Sequence, residues 1–233
     1  MNFIHCNRAL IAAIAAWFRR THNRLAPLIL VLAFQASLAW PAPASALAAD
    51  SPILLVVGDS ISAGYGLASG QGWVDLLQGK LANHGYPYKV VNASISGDTT
   101  AGGRSRIGAA LTTHRPRVVI IELGGNDGLR GSALDSVRAN LDFMVETAQK
   151  AGAQVLIAGM QLPPNYGSTY VRKFAAMFAD IARERKAALV PFLLDGFGDR
   201  PELFQADRIH PTSQAQPLMV ENIWPELTKL LHP

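Results

Sequence analysis

The chain is nearly without cysteine: of 233 residues only Cys6 is one. Cys6 precedes the segment read below as mature protein, which therefore has no disulfide and no cysteine nucleophile. Acidic residues are missing from the first 49 positions, while Arg8, Arg19, Arg20 and Arg24 are present there. No Gly-x-x-x-x-Gly-Lys run occurs, which excludes a phosphate loop of that type. Gly64-Tyr65-Gly66 does not satisfy the dinucleotide-binding pattern. No two histidines stand at metal-ligand spacing. The expectation is an apoprotein with no metal and no cofactor.

Residues 1–49 read as a leader. The arginines come first, Leu25 to Trp40 is almost wholly apolar, and Ala46-Leu47-Ala48-Ala49 closes the segment. A basic start, an apolar middle and an Ala-x-Ala end mark a secretory signal peptide, with the cut expected near Ala48 or Ala49. The alternative is an anchor that stays uncut. Against it, the apolar run carries Pro27 and Gln35 and is shorter than the ~18 residues a span needs. A second apolar patch, Ala9 to Phe18, makes the leader unusually long. The expected location is exported, periplasmic or secreted, with no stable membrane span after cleavage.

The leader also accounts for the net charge of +4. Taking its four arginines from the 21 Lys and Arg leaves 17, equal to the 17 Asp and Glu that all follow it. A chain with no net charge carries no electrostatic case for nucleic acid. The remaining 184 or so residues suffice for one domain, expected over 50–233, with a core that needs no cross-link.

Strand and helix patterns alternate through that domain. Ile53 to Val57 is a short buried-strand run between Pro52 and Gly58. Trp73, Leu76, Leu77 and Leu81 recur at helical spacing, and Gly85 stops the helix. Tyr88 to Asn92 is the second strand, and Thr99 to Thr113 a weaker helix. Arg117 to Leu123 is a strand apolar on both faces, which belongs in a covered parallel sheet. Ser132 is expected to cap a helix whose inward stripe is Leu134, Val137, Leu141, Val145 and Ala148. Val155 to Ala158, a helix through Tyr170, Phe174, Met177 and Ile181, Leu189 to Leu193, and a helix from near Ser213 to near Leu231 complete the series. The prediction is an α/β protein: a three-layer α/β/α sandwich around a five-stranded parallel sheet.

In such sheets ligands bind beyond the carboxyl ends of the strands. The loops there hold Gly58-Asp59-Ser60, Gly97-Asp98-Thr99, Gly125-Asn126-Asp127 and, near the chain end, Asp207-Arg208-Ile209-His210-Pro211. Ser60 is a weak nucleophile unless a base takes its proton, and a neutral imidazole can do so near neutral pH. His210 has a carboxylate three residues before it, Asp207, which can fix the ring tautomer. His5 and His22 lie in the leader, His84 and His114 near helix C-termini, and His232 beside the chain end. Asp59, Asp98 and Asp127 read as loop-bracing.

With these four blocks in order, each after a strand, the chain resembles the SGNH (GDSL) hydrolase superfamily. Within it, the runs Asn92 to Thr99, Glu122 to Gly131 and Leu162 to Gly167 resemble the periplasmic multifunctional thioesterase, lysophospholipase and arylesterase group. The resemblance covers Ile53 to about Trp224. It implies a flavodoxin-like sheet, a catalytic triad of Ser60, Asp207 and His210, and an oxyanion hole from Ser60, Gly97 and Asn126. It further implies a serine esterase acting on small acyl esters, thioesters and lysophospholipids; a monomer is expected. The Gly128 to Ser132 and Leu162 to Tyr170 loops are expected to border an apolar acyl site. Two other readings remain open: a carbohydrate O-deacetylase of the same superfamily, and a non-catalytic flavodoxin-like binding module.

Overall fold

The computed structural model describes residues 51–232. The leader read from residues 1–49, its cleavage site and any span within it lie outside the described residues. Among the described residues no helix is long and apolar enough to cross a membrane.

Five strands form one parallel sheet: β1 (Ile53–Gly58), β2 (Lys89–Asn92), β3 (Val118–Glu122), β4 (Gln154–Ala158) and β5 (Ala188–Val190), in the order β2-β1-β3-β4-β5. Between them run α1 (Ser60–Ala63), α2 (Trp73–Asn83), α3 (Thr100–His114), α4 (Gly125–Leu129), α5 (Leu134–Lys150) and α6 (Ser168–Arg185), and α7 (Gln216–Thr228) follows β5.

Side-chain alternation along each strand divides the core in two. Leu55, Val57, Val119, Ile121, Val155 and Ile157 face α3, α5 and α6, meeting Ile107, Leu141 and Phe174 among others. Leu54, Val56, Val118, Ile120, Leu156 and Ala158 face α2 and α7, meeting Trp73, Leu77, Met219 and Ile223. All five residues of β3 are buried, as expected of a central strand covered on both sides. Each fully buried Leu, Ile or Val contributes roughly 1.5–3 kcal/mol, which is how a chain without disulfides holds together.

Three local expectations differ from the structure. β5 was expected to run to Leu193 but ends at Val190, because Pro191 has no N–H to continue a ladder. The last helix starts at Gln216 rather than near Ser213, and Pro217 sits in its first turn, where a missing N–H costs nothing. Ser132 does not cap α5. Ala133 occupies the cap position, and Ser132 instead donates its N–H to the Asp127 carbonyl and accepts from the Tyr170 hydroxyl.

The sheet order reverses at β1, which has β2 on one side and β3 on the other. A crevice opens beyond the strand ends at such a switch point. Val56 is in register with Asn92 and Gly58 with Glu122, so three loops leave the sheet side by side there.

Candidate active site

The site begins with the turn out of β1. Asp59 is the N-cap of α1, its Oδ1 accepting from the Ile61 N–H at 3.0 Å. Ser60 is thereby the first residue of a four-residue helix and is 9% exposed. Beneath it lies Glu122, fully buried at the end of β3. Its Oε2 accepts from Ser62 Oγ at 2.5 Å and from the Asp59 N–H at 3.3 Å. Asn92 Nδ2 donates to the Ser62 carbonyl at 2.8 Å. Arg106 on α3 donates to the carbonyls of Gly58 and Ala93 and to Asp98 Oδ2, tying the first two loops together.

The second and third loops carry Gly97 and Asn126. Gly97 has φ +79°, a left-handed conformation that suits glycine. Among the described residues its N–H donates to no acceptor. Asn126 Nδ2 donates to the Asp98 carbonyl at 2.9 Å and to Asp59 Oδ2 at 3.1 Å. Asn126 therefore joins the residue after Gly97 to the residue before Ser60. Both its amide hydrogens are engaged, so an incoming oxyanion must share or displace one acceptor. Asp127 accepts from the N–H and hydroxyl of Thr100 at 2.9 and 2.8 Å, which ties α4 to the start of α3.

The hairpin near the chain end meets this turn. His210 Nε2 lies 2.8 Å from Ser60 Oγ, and His210 Nδ1 lies 2.7 Å from Asp207 Oδ2. A carboxylate only accepts, so the proton is assigned to Nδ1, which leaves Nε2 free to accept from the serine hydroxyl. Asp207 Oδ1 also accepts from the N–H groups of Ile209 and His210 at 2.9 and 3.0 Å. The Tyr65 ring packs at 4.5 Å from the His210 ring. Ser60, His210 and Asp207 thus form one hydrogen-bonded chain.

The carboxyls around this chain are shifted in opposite directions. Burial pushes Asp59 up to about 6, against the bond from Ile61 and the favourable field of His210. Burial, reinforced by the charge of Asp59, holds Glu122 well above the carboxylate range. Partial burial also works to raise Asp207, but the bonds from the His210 N–H and ring and the Ile209 N–H outweigh it and bring it down to about 2. Asp207 is therefore ionised at neutral pH, as a partner for an imidazolium must be.

Beside the chain opens a cleft of about 720 Å³, within the usual size of a small-molecule site. Ile61 and Ile209 line it next to Ser60 and His210, and Leu129, Met160, Leu162 and Pro163 form one wall. The Gly128 to Ser132 and Leu162 to Tyr170 loops do contribute, through Leu129, Leu162, Pro163 and Pro164, but Tyr166 and Tyr170 do not line it. Residues 192–196, 198 and 199 with Phe204 also line it and lie outside the loops expected to border it. Their apolar side chains place Phe192 and Leu193 in the strand expected over Leu189 to Leu193, which the structure ends at Val190. Among the described residues no group of three or more His, Cys, Asp or Glu could hold a metal ion.

A parallel α/β/α sheet with a Ser–His–Asp hydrogen-bonded chain at its switch point is the architecture of a serine hydrolase. Comparison with known proteins narrows this class. Residues 56–216 match the family described as GDSL-like Lipase/Acylhydrolase. The chain is 54% identical over 183 residues to Esterase TesA of Pseudomonas aeruginosa, covering 78% of this chain and 91% of that protein. It is 39% identical over 185 residues to the Escherichia coli Thioesterase 1/protease 1/lysophospholipase L1, covering 79% and 88%. A crystal structure of the psychrotrophic esterase EstA from Pseudoalteromonas sp. superposes with a TM-score of 0.73 at 37% identity, covering 76% of this chain and 97% of that one. The chain belongs to the GDSL-like lipase/acylhydrolase family.

Proposed function

We propose that this protein is a serine esterase that cleaves acyl esters and thioesters, with Ser60 as nucleophile, His210 as general base and acid, and Asp207 as the group that orients and charge-balances the imidazole. It is a hydrolase of ester bonds, like its named relatives. The single observation that carries the residue assignment is the Asp207–His210–Ser60 chain, with separations of 2.7 and 2.8 Å across 150 residues of sequence.

The chemistry follows from that chain. His210 Nε2 takes the proton as Ser60 Oγ attacks the acyl carbonyl. The tetrahedral oxyanion is received by the N–H groups of Ser60 and Gly97 and the Asn126 amide, each donor of this kind contributing ~2.7–4 kcal/mol. On collapse His210 returns the proton to the leaving alcohol or thiol. Water, activated by the same ring, then hydrolyses the acyl-serine. The apolar walls of the cleft favour an acyl chain of several carbons, so lysophospholipids and medium-chain esters are the substrates proposed. Export to the periplasm belongs to the same reading and is supported by the composition of residues 1–49.

The test is a fluorophosphonate probe with a chain-length series of aryl esters. The native protein should be labelled and Ser60→Ala should not, with hydrolysis falling at least ~10⁴-fold. Catalytic efficiency should rise from acetyl to octanoyl esters. Acetyl release from polysaccharide alone would favour the deacetylase, and no labelling of either protein would favour a binding module.

A further inference from the structure

The hairpin that carries Asp207 and His210 has little of its own to hold it. One antiparallel bridge, Phe204 to Pro211, closes its base. Ala206, Asp207, Arg208 and Ile209 are all exposed. Yet His210 must stay within proton-transfer reach of a serine on the other side of the crevice.

Gln205 supplies the connection. Its backbone N–H donates to the His210 carbonyl at 2.8 Å, and its carbonyl accepts from the Arg208 N–H at 2.8 Å. Its side-chain Nε2 leaves the hairpin and donates to the Tyr65 carbonyl at 2.8 Å, while also donating to the Pro211 carbonyl at 3.2 Å. Tyr65 in turn donates its N–H to the Ser60 carbonyl at 3.1 Å. Ser60, Tyr65, Gln205 and His210 therefore form a closed ring, sealed by the Ser60–His210 bond. Among the described residues the Gln205 bond is the one hydrogen bond, apart from Ser60–His210 itself, that joins residues 204–211 to residues 59–66.

The neighbouring glycine fits this contact. Gly66 has φ +73°, and a Cβ there would lie 2.1 Å from Gln205 Oε1. Any side chain at position 66 must therefore push the Gln205 amide aside. The backbone bends at Gly66 so that the amide can cross.

We propose that Gln205 is a positioning residue that sets the separation of Ser60 and His210 by tethering the hairpin to the Tyr65 carbonyl. This rests on the triad reading above. Displacement of a reacting group by about 1 Å costs on the order of 100-fold in rate, so the tether acts on kcat and not on substrate binding.

The experiment uses the full chain and an octanoyl aryl ester. Gln205→Leu removes the donor, and Gln205→Glu keeps the shape but has no N–H to give. Both should lower kcat by about 10- to 100-fold with KM within about twofold, and slow fluorophosphonate labelling by the same factor. Gly66→Ala should cause a similar loss by a different route. An unchanged kcat in Gln205→Leu, a rise in KM alone, or full activity in Gln205→Glu would each overturn the proposal. Hydrolysis surviving in Ser60→Ala would instead overturn the triad reading, so the two failures are distinguishable.

Discussion

The two partners of the central hydrogen bond are held by opposite means. Ser60 stands on a buried floor. Glu122, Asp59, Asn92 and Arg106 reach the turn around it from β3, the turn itself, β2 and α3. His210 and Asp207 stand on an exposed hairpin, tied down by Gln205 beside its base and by Gln216 just beyond it. Gln216 accepts from the Trp73 N–H at 2.9 Å and donates to the carbonyls of Pro211 and Thr212. The electrostatics divide in the same way. Burial raises the acids of the floor, while convergent N–H groups lower the acid of the hairpin. The floor is part of the fold's stability. On the proposed triad the hairpin serves mainly the reaction, and lesions in the two regions should separate accordingly.

Asp207→Asn tests the hairpin and carries the largest expected effect. It should lower kcat by ~10³–10⁴-fold, the cost of losing the correct tautomer and the charge beside the imidazolium. The thermal midpoint should fall far less than the rate, since the Asp207 side chain is 36% exposed, solvent screens its charge, and the asparagine Oδ1 can still accept the Ile209 and His210 N–H bonds. A large fall in thermal stability would erase the contrast.

Glu122→Ala tests the floor. It leaves the Ser62 hydroxyl and the Asp59 N–H without their buried acceptor and opens a void. The fold should lose roughly 3–5 kcal/mol in urea unfolding. Glu122→Gln should cost less than the alanine, because burial already disfavours the ionised form and the amide oxygen can accept both bonds, while its NH2 group takes the place of Oε1, which has no partner among the described residues. If alanine and glutamine are equally mild, the floor is not structural in the sense argued.

The smallest effect is in pH dependence, where the two regions have opposite signs. Asp59 is raised from 3.8 to about 6, so between those values the unfolded chain releases its proton first and stability falls as pH rises. Asp207 is lowered to about 2, so its contribution is complete above 3.8 and is lost as pH falls through 2. The difference in unfolding free energy between the native protein and Asp59→Asn, followed from pH 3.5 to 6.5, should change by on the order of 1–3 kcal/mol. A flat difference would show that burial does not govern Asp59.

Much of this was legible from residue order. Ile53 to Val57 reads as a strand because five apolar residues sit between Pro52 and Gly58, and it is one. Ser60 and the Asp207–His210 pair stand out by residue type and spacing in loops at the strand ends, where function in a parallel sheet gathers, while Gly97 and Asn126 were pointed to by the resemblance to the SGNH superfamily. The end of β5 was overrun because Phe192 and Leu193 are as apolar as a strand requires, while the break comes from Pro191. The cleft lining that follows Pro191 was lost with it.

Periodicity, loop position and spacing were enough to dictate the layers and the order of the blocks, because each is a property of neighbouring residues. The roles of Glu122, Arg106 and Gln205 came only with the folded chain. A fully buried glutamate under a serine turn, or a glutamine reaching 140 residues back to a carbonyl, leaves no local pattern. Such bonds join segments that are adjacent only after the sheet has formed, so no stretch of neighbouring residues encodes them.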